Sequence, residues 1–180
     1  MLKRAFLGGL LSAGVNVIDY KDLPTAVLRH SLFTHDEYTA GVYFCQKLED
    51  ASSTVLTFYN HEALRINNDI SKKIEKAFFK DAFRRVDYSK IGKIYESDQV
   101  KEYQMYKDAV KNLLNSHQFK CVGCRIAVDM MHGMATELFP EVLNEMGVDN
   151  IMFNAYADES SLENINKLIK RSTEDMGAVI

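Results

Sequence analysis

A chain of 180 residues suits one large domain or two small ones, and 47% hydrophobic residues provide for a sizeable core. A formal charge of -3 supplies no basic field for counterion release, which excludes nucleic acid as the expected partner. No apolar run approaches the length of a membrane span, and three cysteines, an odd number, fit a reducing compartment better than a disulfide framework. The chain is therefore expected to be soluble and cytoplasmic, with no membrane partner.

The opening residues, Met1 to Gly14, have the positive flank and apolar run of an export signal. Leu2, Ala5, Phe6, Gly9, Leu10 and Ala13 nevertheless fall on one helical face, and a strand-like run, Val15 to Ile18, follows at once. A core helix is the expected structure. Asp22-Leu23-Pro24-Thr25 turns the chain, and the fixed φ of Pro24 suits the first position of a helix carrying Ala26, Val27, His30, Leu32 and Phe33. Ala40 to Cys45 reads as a second strand, Gln46 to Ser53 as a polar loop, and Thr54 to Tyr59 as a third strand. This order implies a mixed or parallel sheet with helices packed on it. The helix at the start has no strand before it, as expected of a fragment.

Asn67 to Phe83 places Ile70, Ile74, Ala77 and Phe78 on one face, the pattern of an amphipathic helix. Arg84 to Ser97 is polar apart from Ile91 to Tyr95 and reads as a connection, with a domain boundary near Asp98. Val100, Tyr103, Lys107, Val110, Leu113 and Leu114 make another helix. Cys121 and Cys124 form a lone Cys-x-x-Cys ahead of a strand. They lack both the second ligand pair of a zinc site and the helix N-terminus that stabilises a redox thiolate, so no redox or metal role is expected of them.

The stretch that organises the chain is Arg125 to Gly147. Ile126 to Val128 are a short apolar run ending in Asp129, and beyond Gly133 the apolar period changes to Met134, Leu138, Val142 and Met146, beside Ala135, Phe139 and Leu143. That switch marks a strand feeding a helix, which Gly147 stops. Asn150 to Asn154 supplies the next strand and completes a β-α-β unit. Asp158 and Glu159 read as the cap of a further helix bearing Leu162, Ile165, Leu168 and Ile169, and Gly177 to Ile180 begins another strand. Such strand stubs leave open edges, through which self-association is expected.

Taken together, these residues resemble the α-D-phosphohexomutase family of phosphomannomutases and phosphoglucomutases. Leu7 to Thr25 is similar to the family's first-domain helix, strand and Pro-Thr-Pro turn, with Ala26 where the second proline usually stands. Ile126 to Gly147 resembles the strand and helix opening the second domain, and Asn154 to Glu159 the segment beyond the next strand. The resemblance is nearest to the mutase-like half of fusions with a mannose-1-phosphate guanylyltransferase. It implies an α/β fold of three-layer α/β/α type with mixed sheets, in two partial domains: residues 1–98 from domain I without its first strands, and 99–180 from the front of domain II.

The resemblance also implies a chemistry. A phosphoserine gives its phosphoryl group to a hexose 1- or 6-phosphate and recovers the other phosphate once the bisphosphate intermediate reorients. Magnesium held by three aspartates neutralises the transferred charge. The family's nucleophile loop falls, without gaps, on Cys45 to Asp50, which puts Lys47 in the phosphoserine's place; Ser52 and Ser53 are weak substitutes as loop serines. The magnesium loop would follow the strand at Gly177, so no cofactor or metal ligand is expected within this chain. Asp129 and His132 read as turn residues, not as ligand or base. The expectation is thus a phosphohexomutase-like fragment without mutase activity of its own and with a sugar phosphate as its partner. The alternative is a non-catalytic sugar-phosphate-binding or regulatory module attached to a guanylyltransferase.

Overall fold

The computed structural model describes residues 2–47, 50–80, 83–116, 121, 123–130, 135, 136, 138–153 and 176–179. The chain divides into two compact units, Met1–Gln99 and Val100–Ile180. Both mix helices with small parallel or antiparallel sheets, an α/β architecture.

In the first unit, α1 (Leu2–Ser12) leads to β1 (Val17–Asp19), α2 (Thr25–Thr34) and the antiparallel pair β2 (Ala40–Lys47) and β3 (Asp50–Asn60). Helix α3 (Asn68–Phe79) and strand β4 (Ile94–Glu96) follow. In place of the mixed or parallel sheet expected here, the described residues of this unit form two pairs, β1 parallel to β4 and β2 antiparallel to β3. Strand β4 was hidden in what reads as a connection: Ile94 to Glu96 is short and exposed, and it becomes a strand only by pairing with Val17 to Asp19.

Helix α1 forms where expected and keeps Phe6, Leu10 and Ala13 of the expected face half-buried, but is rotated so that the rest of that face is exposed. Lys3, Phe6, Leu7, Leu10 and Leu11 are half-buried, whereas Leu2, Ala5 and Gly9 are exposed. Phe6 sets the orientation, its ring meeting Phe44 edge-on at 5.4 Å and Phe58 at 6.3 Å. An aromatic side chain buries more area than alanine or glycine, so it decides which face docks. Gly14 ends the helix at φ +84, a conformation glycine adopts without strain.

Pro24 occupies the N-cap of α2 (φ -56, ψ 144), one place before the first helical position expected for it. Val27, Ser31 and Leu32 form the buried stripe of α2, and Ser31 returns its hydroxyl to Val27 O at 3.0 Å. Leu32, Tyr59 and Ala63 make a small core with Tyr38 and Tyr43 packed against it. Asn67 caps α3 by accepting from Ile70 N, which satisfies one of the unpaired backbone donors of the first turn. The helix stops at Phe79 rather than Phe83, and its apolar residues Ile70, Ile74 and Phe78 are exposed.

In the second unit, α4 (Gln99–Ser116) precedes β5 (Arg125–Asp129), α5 (Leu138–Glu145), β6 (Asp149–Phe153) and β7 (Met176–Val179). Strand β5 lies between β6 and β7, parallel to both, which makes the expected β-α-β unit of β5, α5 and β6. Helix α5 is Leu138–Glu145, and Ala135 and Thr136 form a turn ahead of it. Pro140 falls in its first turn, where a proline is tolerated, whereas deeper inside a helix it would clash with the preceding turn. Gly147 ends the segment at φ +74. The core is Val128, Met130, Leu143 and Val148. Lys107 on α4 reaches Glu141 on α5, and Lys111 reaches Glu145 at 3.5 Å. The helix expected from Asp158 to Ile169 lies outside the described residues.

Candidate functional site

The stretch aligned with the nucleophile loop is the closed end of the β2–β3 hairpin. Gln46 pairs with Thr54, whereas the next residue, Lys47, pairs with Asp50. The shift inserts Ala51, Ser52 and Ser53 between the two paired positions of β3, an irregularity that bends a strand and increases its twist. Ser52 and Ser53 therefore stand on a strand rather than in the polar loop expected; Ser52 is exposed and Ser53 half-buried. The cause is non-local: their composition reads as a loop, but the hairpin carries them inside β3 as the extra residues of its irregularity.

Ligands of open α/β sheets gather outside the carboxyl ends of parallel strands. In the second unit that edge carries Asp129, the last residue of β5. It is almost fully buried (1% exposed) and opposite Phe153 and Val179 in the ladder. The next residue, Met130, donates its N–H to Phe153 O at 3.0 Å and is itself fully buried. His132 lies outside the described residues, as do Asp158 and Glu159. At the opposite edge Arg125, Asn144, Asp149 and Asn150 line a shallow groove, on the wrong side of the sheet for that rule.

The first unit has its own polar cluster at the corresponding edge, and the sequence reading missed it. Asp19 and Glu96 end β1 and β4 and lie side by side. Lys3 Nζ and the backbone N–H of Lys21 both donate to Asp19 Oδ1 at 2.7 Å, and Lys21 Nζ donates to Glu96 Oε2 at 2.8 Å. Burial pushes the Asp19 carboxyl up, but the Lys3 hydrogen bond and the Lys21 N–H outweigh it and hold the group below its ordinary range. The hydrogen bond that Lys21 donates to Glu96 holds the Lys21 ammonium above its ordinary range. Each ammonium already has a carboxylate, so an arriving phosphate must displace one to bind; as it stands the cluster fastens β1 to β4. No local signal marks it, because Lys21 and Glu96 are 75 residues apart.

The turn at Pro24 and Thr25 is held from β3: Thr25 Oγ1 and the Tyr59 hydroxyl are 3.2 Å apart. Arg29 lies 5.7 Å from the centre of the Tyr59 ring and donates to Ala63 O at 2.9 Å. Burial, with Cys45 next in effect, pushes the neighbouring Tyr43 phenol up. Among the described residues no three His, Cys, Asp or Glu side chains converge as a metal ion requires. Also among the described residues, no helix is long and apolar enough to cross a membrane. One contact departs from expectation: Cys121 and Cys124 are joined as a disulfide, although an odd cysteine count read as a reducing compartment.

These features define a class by fold. The chain superposes on a phosphoglucomutase/phosphomannomutase family protein from Burkholderia thailandensis with a TM-score of 0.72, covering 94% of this chain and 38% of that one at 16% identity. Residues 1–85 match the family model described as phosphoglucomutase/phosphomannomutase, alpha/beta/alpha domain I. The chain is 27% identical over 155 residues to a phosphoglucosamine mutase of Dictyoglomus turgidum, covering 86% of this chain and 34% of that protein. It is 28% identical over 170 residues to a phosphoglucosamine mutase of Caldicellulosiruptor saccharolyticus, covering 93% and 36%. On fold and sequence together the chain is phosphohexomutase-like, and it spans about a third of the length of the curated relatives it matches.

Proposed function

We propose that this chain serves sugar-phosphate metabolism as the domain I and early domain II portion of a phosphohexomutase, and that alone it binds a hexose phosphate without turning it over. The observation that carries this reading is the hairpin register. Where the family's phosphoserine loop would lie, β2 continues through Lys47 and closes on Asp50, and an amine there cannot pass a phosphoryl group back and forth as a serine hydroxyl does. The relatives' printed name, phosphoglucosamine mutase, supports an amino-hexose phosphate as the first ligand to try.

Incubation with glucosamine 1,6-bisphosphate and with glucose 1,6-bisphosphate, followed by intact-mass measurement, tests the catalytic half of the reading. No phosphate adduct is expected. An adduct mapped to Ser52 or Ser53, or interconversion of the 1- and 6-phosphates by the chain alone, defeats it. Saturation-transfer NMR with glucosamine 6-phosphate tests the binding half, and absence of any transfer defeats that. Attachment to a mannose-1-phosphate guanylyltransferase is the finer form of the same proposal. It predicts that the chain alters the rate of such an enzyme when the two are mixed.

A further inference from the structure

We propose that Cys121 and Cys124 are a reversible dithiol–disulfide couple that staples the entrance of β5, a modification site independent of any sugar-phosphate chemistry. Their Cα atoms are 5.6 Å apart, well inside the range a disulfide spans. Gly123 between them sits at φ +76, a left-handed conformation that lets so short a loop close and that a side chain would oppose.

The pair is wired into the sheet on both sides. Both cysteines are half-buried and pack against the core of Val128, Met130, Leu143 and Val148. The carbonyl of Cys124 accepts from Asp149 N at 3.0 Å, where β6 begins, and the carbonyl of Cys121 faces Gly147 at the end of the α5 segment. Closing the loop therefore fixes the point at which β5 and β6 enter the sheet together. The couple lies ahead of a strand, and among the described residues neither cysteine begins a helix whose dipole would stabilise a thiolate, which fits a slow structural staple better than an oxidoreductase centre.

The chemistry requires an external disulfide, and a small one such as glutathione disulfide suffices. One cysteine thiolate attacks a sulfur of the reagent, the reagent's S–S bond breaks, and one thiol leaves. The second cysteine then attacks the mixed disulfide and releases the second thiol. Two electrons and two hydrogens pass from the protein to the reagent.

The sequence offers a clean readout, since trypsin cutting after Lys120 and Arg125 releases Cys121-Val-Gly-Cys-Arg125 with both thiols and separates it from Cys45. The full chain is equilibrated in glutathione buffers from reducing to oxidising, alkylated and digested. In oxidising buffers this peptide should carry no alkyl group and be lighter by two hydrogens, about 2 Da; in reducing buffers it should carry two alkyl groups. Two alkyl groups in every buffer, or a glutathione adduct that never closes, overturns the proposal.

Hydrogen exchange of Arg125 to Asp129 tests the staple itself. It should be several-fold faster in the reduced chain, and equal exchange overturns that role. In Cys124→Ala the redox dependence of exchange should vanish; if it persists, another thiol causes it and the assignment fails. The alkylation map of the unmodified chain stands even if the variant does not fold.

Discussion

Replacement of Gly92 by alanine tests how the first unit is held together. A Cβ built on Gly92 falls onto the backbone carbonyl of Val15, with Val15 N at 3.0 Å. Backbone cannot swing aside as a side-chain tip does, so the segment before β4 has to retreat. Three hydrogen bonds tie that segment down: Gly92 N to Leu11 O at 3.0 Å, Val17 N to Lys93 O at 2.9 Å and Lys93 N to Asn16 Oδ1 at 2.9 Å. Loss of one or two costs about 1 kcal/mol each, on top of about 1–3 kcal/mol for overpacking. A stiffer unfolded chain returns about 0.5–1 kcal/mol. The net destabilisation is about 3 kcal/mol, by the same principles. Urea unfolding of the full chain measures it, and hydrogen exchange at Val17 to Asp19 and Ile94 to Glu96 localises it, because two units need not unfold together. A change below about 0.5 kcal/mol with unaltered exchange would show that Gly92 is not the close-approach point described.

Three further outcomes follow from the same structure. Gly8 lies inside α1 with open space around its Cβ position, so Gly8→Ala should stabilise by about 0.5–1 kcal/mol, read as a higher urea midpoint; a lower midpoint refutes the open surface assigned to that face. Leu143→Ala, in the core under β5, should cost about 3 kcal/mol in the same assay, and a cost under about 1 kcal/mol would mean the site collapses or is not core. For Asp19→Asn the sign follows from the depressed carboxyl. The ionised form is favoured in the folded chain, so its contribution is fully present above the unfolded value near 3.8 and fades as pH falls through the folded value. Because Lys3 is partly exposed, about 0.5–1 kcal/mol should separate the parent from the variant near neutrality. That gap should narrow below about pH 4, and a gap that widens on acidification contradicts the assignment.

How far the sequence could be read varies by element. The β5, α5 and β6 unit was legible because its signals are local: an apolar run, a change of period and a glycine at the stop. The start of the helix near Asn67 was legible for the same reason, although its capping role was not read. Strand β4 was not, since three residues with no apolar alternation become a strand only beside β1. Ser52 and Ser53 were misread as loop because polar composition outweighed a hairpin register that composition cannot express. The Asp19, Lys21 and Glu96 cluster and the closure of Cys121 on Cys124 depend on side chains meeting in space.

From its residues alone, this chain's helices, most of its strands and its likeness to sugar-phosphate mutases were determined, because periodicity, capping and turn chemistry act over a few neighbours. Which face of α1 docks, which strands pair, and where the carboxylates and thiols end up were decided only by tertiary structure. Those outcomes rest on contacts between segments tens of residues apart, where burial and register outweigh local preference.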